Sequence, residues 1–131
     1  MRGLDTNVLV RYLTQDDTGQ SRKANALIAD VTETGDRCFV DLIVLCELTW
    51  VLRGAYEIER AEIVTTLDKI LATPRLVLDR KDLVRAALDD FRAGPGDFAD
   101  YLLGRVNREA SCDRTATFDQ KLKKCELFQL L

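Results

Sequence analysis

Five carboxylates stand at positions where side-chain chemistry competes with a structural role. Asp5 follows the first apolar residues in "MRGLDTNVLVRYL" and Glu47 interrupts "LIVLCELTWVL". Asp97 and Asp100 lie three apart in "GPGDFADYLLG", and Asp119 follows the strand-like "TATF". The chain contains no histidine. That removes imidazole acid–base catalysis, Ser–His–Asp triads and imidazole zinc sites. Hydrolysis by such a chain falls to carboxylates holding a hard cation, Mg2+ or Mn2+, which activates water against a phosphodiester.

Each position also has a plain structural explanation. Asp5 is a good helix cap, as is Asp97 after Gly96, and Asp119 can cap "QKLKK". Asp100 then falls at the third helical position, where the helix dipole favours an acid. Glu47 sits in a helix apolar on almost every face, so it is expected to be buried and to need a cation, a basic partner or a raised pKa. Its alternative is the one wet stripe of that helix. Taken together, separate segments place carboxylates at strand exits or helix starts, as they must to converge on one sheet edge. Convergence would raise some of their pKa values, and a divalent ion would relieve the repulsion.

Short strands and helices alternate along the chain. "MRGL" reads as a strand and "NVLVRYL" as a helix ending at "TQDD". "SRKANALIADVTE" is amphipathic and is broken by Gly35 and Asp36. "RCFV" leads into a helix that Asp41 caps and Gly54 ends, and "ERAEIVTTLDKILAT" stops at Pro74. "RLVL" is a third strand, "DLVRAALDDFRA" a helix closed by "GPG", and "DFADYLLGRVNREA" another helix. "CDRTATF" carries a strand, and "ELFQLL" is a candidate last edge strand. This order predicts an α/β sandwich in which helices flank a mostly parallel central sheet. Sites in such sheets form beyond the carboxyl ends of the strands.

The totals agree with one domain over residues 1–131 in the cytoplasm. Hydrophobic residues are 47% and charged residues 31% of the chain. No apolar run approaches the roughly 20 residues of a membrane span, and no signal-peptide pattern opens the sequence. The four cysteines lack a CxxC pair and read as reduced, mostly buried thiols. A net charge of −3 argues against a polyanion-coating protein and leaves room for a local basic patch.

"LDTNVLV", a glutamate in the helix after the second strand, "DFADYLL" and "TFD" together resemble PIN-domain ribonucleases, and more narrowly VapC-type toxins of VapBC toxin–antitoxin pairs. The resemblance runs in order over essentially the whole chain. It implies a PIN-like three-layer sandwich and a metal-dependent endoribonuclease that inhibits translation. Asp5, Glu47, Asp100 and Asp119 match the family's acidic positions, and Asp97 matches a supporting acid. Thr6 and Asn7 would fix the turn after Asp5 by side-chain hydrogen bonds, and Thr117 matches the hydroxyl residue before the fourth acid. Mg2+ or Mn2+ is the implied cofactor. The implied partners are RNA, a VapB-like antitoxin and a second copy in a homodimer. Arg11 and Arg53 are candidates to hold RNA, with Arg22, Lys23, Lys121, Lys123 and Lys124 behind them. Trp50 and Tyr56 in "LTWVLRGAY" are candidate anchors for a partner, or else core residues.

Four rival readings differ in their signals. "GPGDFA" formally fits the GxGxxA dinucleotide fingerprint, but a helix precedes it and Asp97 would face the pyrophosphate. A haloacid-dehalogenase-like phosphatase needs a second aspartate two residues after the first, and that position is Asn7. An RNA- or protein-binding module with a vestigial acidic cluster, or a housekeeping nuclease, keeps the fold and changes the activity.

Overall fold

The computed structural model describes all of residues 1–131. In chain order the elements are β1 (Arg2–Gly3), α1 (Thr6–Thr14), α2 (Thr18–Glu33), β2 (Cys38–Val40), α3 (Leu42–Gly54), α4 (Arg60–Leu71), β3 (Leu76–Leu78), α5 (Lys81–Ala93), α6 (Phe98–Glu109), β4 (Thr115–Thr117), a 3-10 turn (Gln120–Leu122) and β5 (Phe128–Leu130). Helix starts follow local chemistry. Asp17 accepts from the Gln20 N–H at 2.9 Å and Asp41 from the Val44 N–H at 2.9 Å, satisfying donors that the first helical turn leaves open.

Every strand pair is parallel, so the sheet is more uniform than the expected mostly parallel one. The strands do not form one ladder, however. β1, β2 and β3 pair in that order, with Arg2 opposite Cys38 and Cys38 opposite Leu76. β4 and β5 form a second ladder, Thr115 opposite Phe128. Parallel neighbours need a crossover, which α1 with α2 supplies between β1 and β2, and α3 with α4 between β2 and β3. The helices make this an α/β sandwich. A single cluster of 27 buried apolar residues runs from Leu4 to Phe128, so both ladders share one core.

The cysteines are all free: Cys38 is buried, Cys46 and Cys125 are half-buried, and Cys112 is exposed. No helix is long and apolar enough to cross a membrane.

The α5–α6 connection is set by close packing. The Gly96 N–H donates to the buried Tyr101 hydroxyl at 2.9 Å. A Cβ on Gly94 would stand 2.2 Å from that hydroxyl oxygen and 3.1 Å from the ring. Gly94 has φ −124°, a conformation open to any residue, so the constraint is contact with a rigid ring. This explains "GPG" without a nucleotide. Gly94→Ala should destabilise the fold by about 1–3 kcal/mol. Gly54, with nothing within 4 Å of its Cβ direction, should tolerate Ala or gain up to about 0.5–1 kcal/mol. Thermal unfolding of the two variants checks the contrast, and equal midpoints would remove the steric account.

Candidate active site

Asp5 occupies the cap position of α1 with extended backbone (φ −76°, ψ 157°), yet its side chain accepts no capping hydrogen bond. Asp17, Asp41 and Asp119 hold equivalent positions and do cap their turns. Asp5 therefore keeps an exposed carboxylate with both oxygens free of helix N–H groups. The next residue, Thr6, is buried and donates its hydroxyl to Glu47 Oε1 at 3.1 Å. This bond ties the start of α1 to the middle of α3. Thr6 thus spends its hydroxyl on Glu47 rather than on the turn, and Asn7 stays exposed, contrary to the expectation that both fix the turn.

Glu47 itself is exposed, which overturns its expected burial. Ile43 at 70% and Trp50 at 58% exposure flank it one helical turn away on either side. From Ile43 to Trp50 the outward stripe of α3 is thus apolar except for Glu47, and that is why the run reads as buried.

The second group of acids is built by α6 and the turn after β4. Asp97 caps α6 from the end of the glycine loop, and Arg53 of α3 pairs with its Oδ1 at 2.6 Å. The Asp97 N–H donates to Asp100 Oδ2 at 3.3 Å. Asp100 is half-buried, and that burial is the main cause pushing its carboxyl above the usual carboxylate range. The Asp97 and Asp119 carboxylates push the same way, while the Asp97 N–H and the Lys121 ammonium pull it down. Asp119 donates its N–H to Thr117 Oγ1 at 3.0 Å and accepts the Lys121 N–H on Oδ1 at 2.9 Å. Thr117 therefore shapes the turn that presents Asp119.

α3 joins the two groups, since it carries both Glu47 and Arg53. No three carboxylates are gathered as a finished ligand set. By chemistry the donors suit a hard cation: they are carboxylate and hydroxyl oxygens with no imidazole among them.

Arg11 is engaged within the chain. Its guanidinium donates to Gln20 Oε1 at 2.7 Å, the Tyr56 hydroxyl at 2.8 Å and Asp16 Oδ1 at 3.2 Å. Tyr56, half-buried, donates to Asp16 Oδ2 at 2.8 Å, so it belongs to this α1–α3 brace and is no free anchor. The Thr14 and Tyr56 hydroxyls, with Arg11, hold the Asp16 carboxyl below its ordinary pKa. Arg53 is engaged with Asp97 but remains largely exposed. Sequence reasoning missed Tyr101, whose ring seats the loop before Asp97; the "GPG" preceding the acid was its only trace.

The PIN domain family model matches residues 4–126. A VapC ribonuclease of Aquifex aeolicus (strain VF5) is 25% identical over 127 residues, covering 95% of this chain and 91% of that protein. The matched span includes Asp5, Glu47, Asp97, Asp100 and Asp119 and every element except β1 and β5. The chain belongs to the PIN domain family.

Proposed function

We propose that this chain is a metal-dependent endoribonuclease of toxin–antitoxin type, cleaving RNA phosphodiester bonds. The observation that carries the reading is Asp100, half-buried and bonded to the Asp97 N–H, with the Asp97 and Asp119 carboxylates both adding to the cost of its charge. A fold gains nothing in stability from assembling like charges; a cation-binding site does. The VapC ribonuclease similarity supports the substrate class and the antitoxin partner.

Asp5 and Asp100 would hold Mg2+ or Mn2+, with Glu47 and Asp119 as further ligands or water-orienting groups and Asp97 in support. When bound, the ion lowers the pKa of water and offsets charge on the phosphate oxygens. The chain's own contribution is positional. Thr6 holds Glu47 by its hydroxyl, Thr117 shapes the Asp119 turn, and Arg53 offsets Asp97 so that fewer negative charges face the RNA. A VapB-like antitoxin or a second copy of the chain would cover the exposed Ile43 and Trp50 of α3, since apolar surface of that kind marks interaction sites.

Purified protein incubated with total RNA and Mg2+ or Mn2+ should give discrete fragments. EDTA should abolish them, and Asp5→Asn should slow cleavage by about 100-fold or more. Intact RNA from folded protein would favour a binding module. Cleavage surviving EDTA and Asp5→Asn would overturn the acidic-site mechanism.

Asp100→Asn should separate catalysis from capping. It should lose activity as Asp5→Asn does, while its unfolding midpoint in divalent-free buffer rises by about 2–4 °C. The asparagine oxygen can still accept the Asp97 N–H. The sign follows from the raised pKa: ionised Asp100 costs folding free energy, and the cost is relieved as acid protonates it. The gain should therefore be present at about pH 7 and fade toward about pH 3. A lowered midpoint at neutral pH would mark Asp100 as a capping residue instead.

A further inference from the structure

A cavity of about 300 Å3 opens beside the acidic edge, where the glycine loop meets the segment after the 3-10 turn. Gly94, Pro95 and Tyr101 line one side, and Lys121, Lys124 and Cys125 line the other. The loop side is firm, because the Tyr101 hydroxyl is bonded to the Gly96 N–H and its ring lies against both glycines. The acidic edge is close by: Lys121, which lines the cavity, is two residues past Asp119, and its ammonium acts on the Asp100 carboxylate.

Charge separates this cavity from the carboxylates next to it. Its one acid, Asp90, is held by Arg105 through two bonds of 2.7 Å. Lys121 and Lys124 are exposed and enter no ion pair. Two ammonium groups free of ion pairs therefore line a cavity beside an acidic edge, in a chain of net charge −3. On the same turn Phe118, one residue before Asp119, is 81% exposed. Cationic side chains tracking a phosphate backbone, with an aromatic face for bases, are the equipment for single-stranded nucleic acid. A base-paired nucleotide stays stacked in its duplex and does not enter a cavity; an unpaired one can be splayed out.

We infer that this cavity is a nucleotide subsite for unpaired RNA, taking the nucleotide beside the scissile bond with its phosphate at Lys121 and Lys124 and its sugar or base against Pro95. The inference rests on the ribonuclease reading and adds the place in the fold where one nucleotide of the RNA sits. It also assigns Lys121 and Lys124 to binding.

The test uses Asp5→Asn protein, which keeps RNA intact, and a short labelled single-stranded RNA titrated over a range of salt, beside a duplex of the same sequence. Adding Lys121→Ala and Lys124→Ala should weaken single-strand binding on the order of 10-fold and flatten the log–log salt slope by about 0.7–1.4, the share of one or two phosphate contacts. Lys124→Arg should restore most of that slope, and Lys69→Ala, at a distant cavity, should leave it unchanged. Both lysines are exposed, so unfolding midpoints near that of the parent will confirm intact protein. An unchanged slope and affinity in the double variant, or duplex binding as tight and as lysine-dependent as single-strand binding, would overturn the subsite. Such a result with normal metal-dependent cleavage by the wild-type chain sinks the subsite alone. Absence of that cleavage sinks the ribonuclease reading first.

Discussion

The Tyr101 ring is the fixed point of the acidic edge. Gly94 and Gly96 pack against it, and the next residue along is the Asp97 that starts α6. Other contacts close the clamp. Arg60 donates to the carbonyls of Phe91 and Gly94 and lies 3.9 Å over the Phe91 ring, which meets Phe98 edge to face at 6.1 Å. Arg105 grips Asp90 and joins α5 to α6. Burial lowers the Arg60 pKa from its ordinary value, but two carbonyls and a ring face compensate its desolvated charge. None of these residues is an acid of the site. Together they hold the first turn of α6 where Asp100 must tolerate Asp97 and Asp119.

That toleration is partial, and the pattern of offsets is informative. Arg53 takes up Asp97, and Lys121 lowers the cost of Asp100 without bonding to its carboxylate. Asp119 spends one oxygen on its own turn. Asp5 receives nothing from its helix. The edge thus holds acids in graded states of compensation, from a paired Asp97 to a free Asp5. A structural network would have closed these gaps, as the Arg11–Asp16–Tyr56 brace does.

Much of the fold was legible because its punctuation is local. Asp41 caps, Pro74 stops a helix and the glycine loop separates α5 from α6; such signals act within a few residues. The division of the strands into two ladders was not legible. β1 has two residues and β4 and β5 three each, so their pairing is decided by helices packed from distant parts of the chain. Glu47 was misread for a different reason. Hydropathy cannot distinguish an apolar residue that fills the core from one, like Ile43 or Trp50, that faces outward. Arg11 shows the same limit for charge, since its partner Tyr56 lies 45 residues away.

The deepest ambiguity in the sequence was between a cap and a ligand, and it arises from chemistry the two roles share. Both place a carboxylate just before a helix, where N–H groups and the helix dipole favour negative charge. Five aspartates meet that description here: Asp5, Asp17, Asp41, Asp97 and Asp119. Residue type and spacing therefore cannot separate them; only the use of the oxygens can. Three give an oxygen to a backbone N–H of the turn that follows. At Asp5 the α1 N–H groups receive no such bond although the residue type could supply it. Forgoing a cap costs helix stability of about 1 kcal/mol. Glu59 before α4 forgoes a cap as well, so what sets Asp5 apart is the Thr6–Glu47 bond beside it, which ties a second carboxylate to the same helix start.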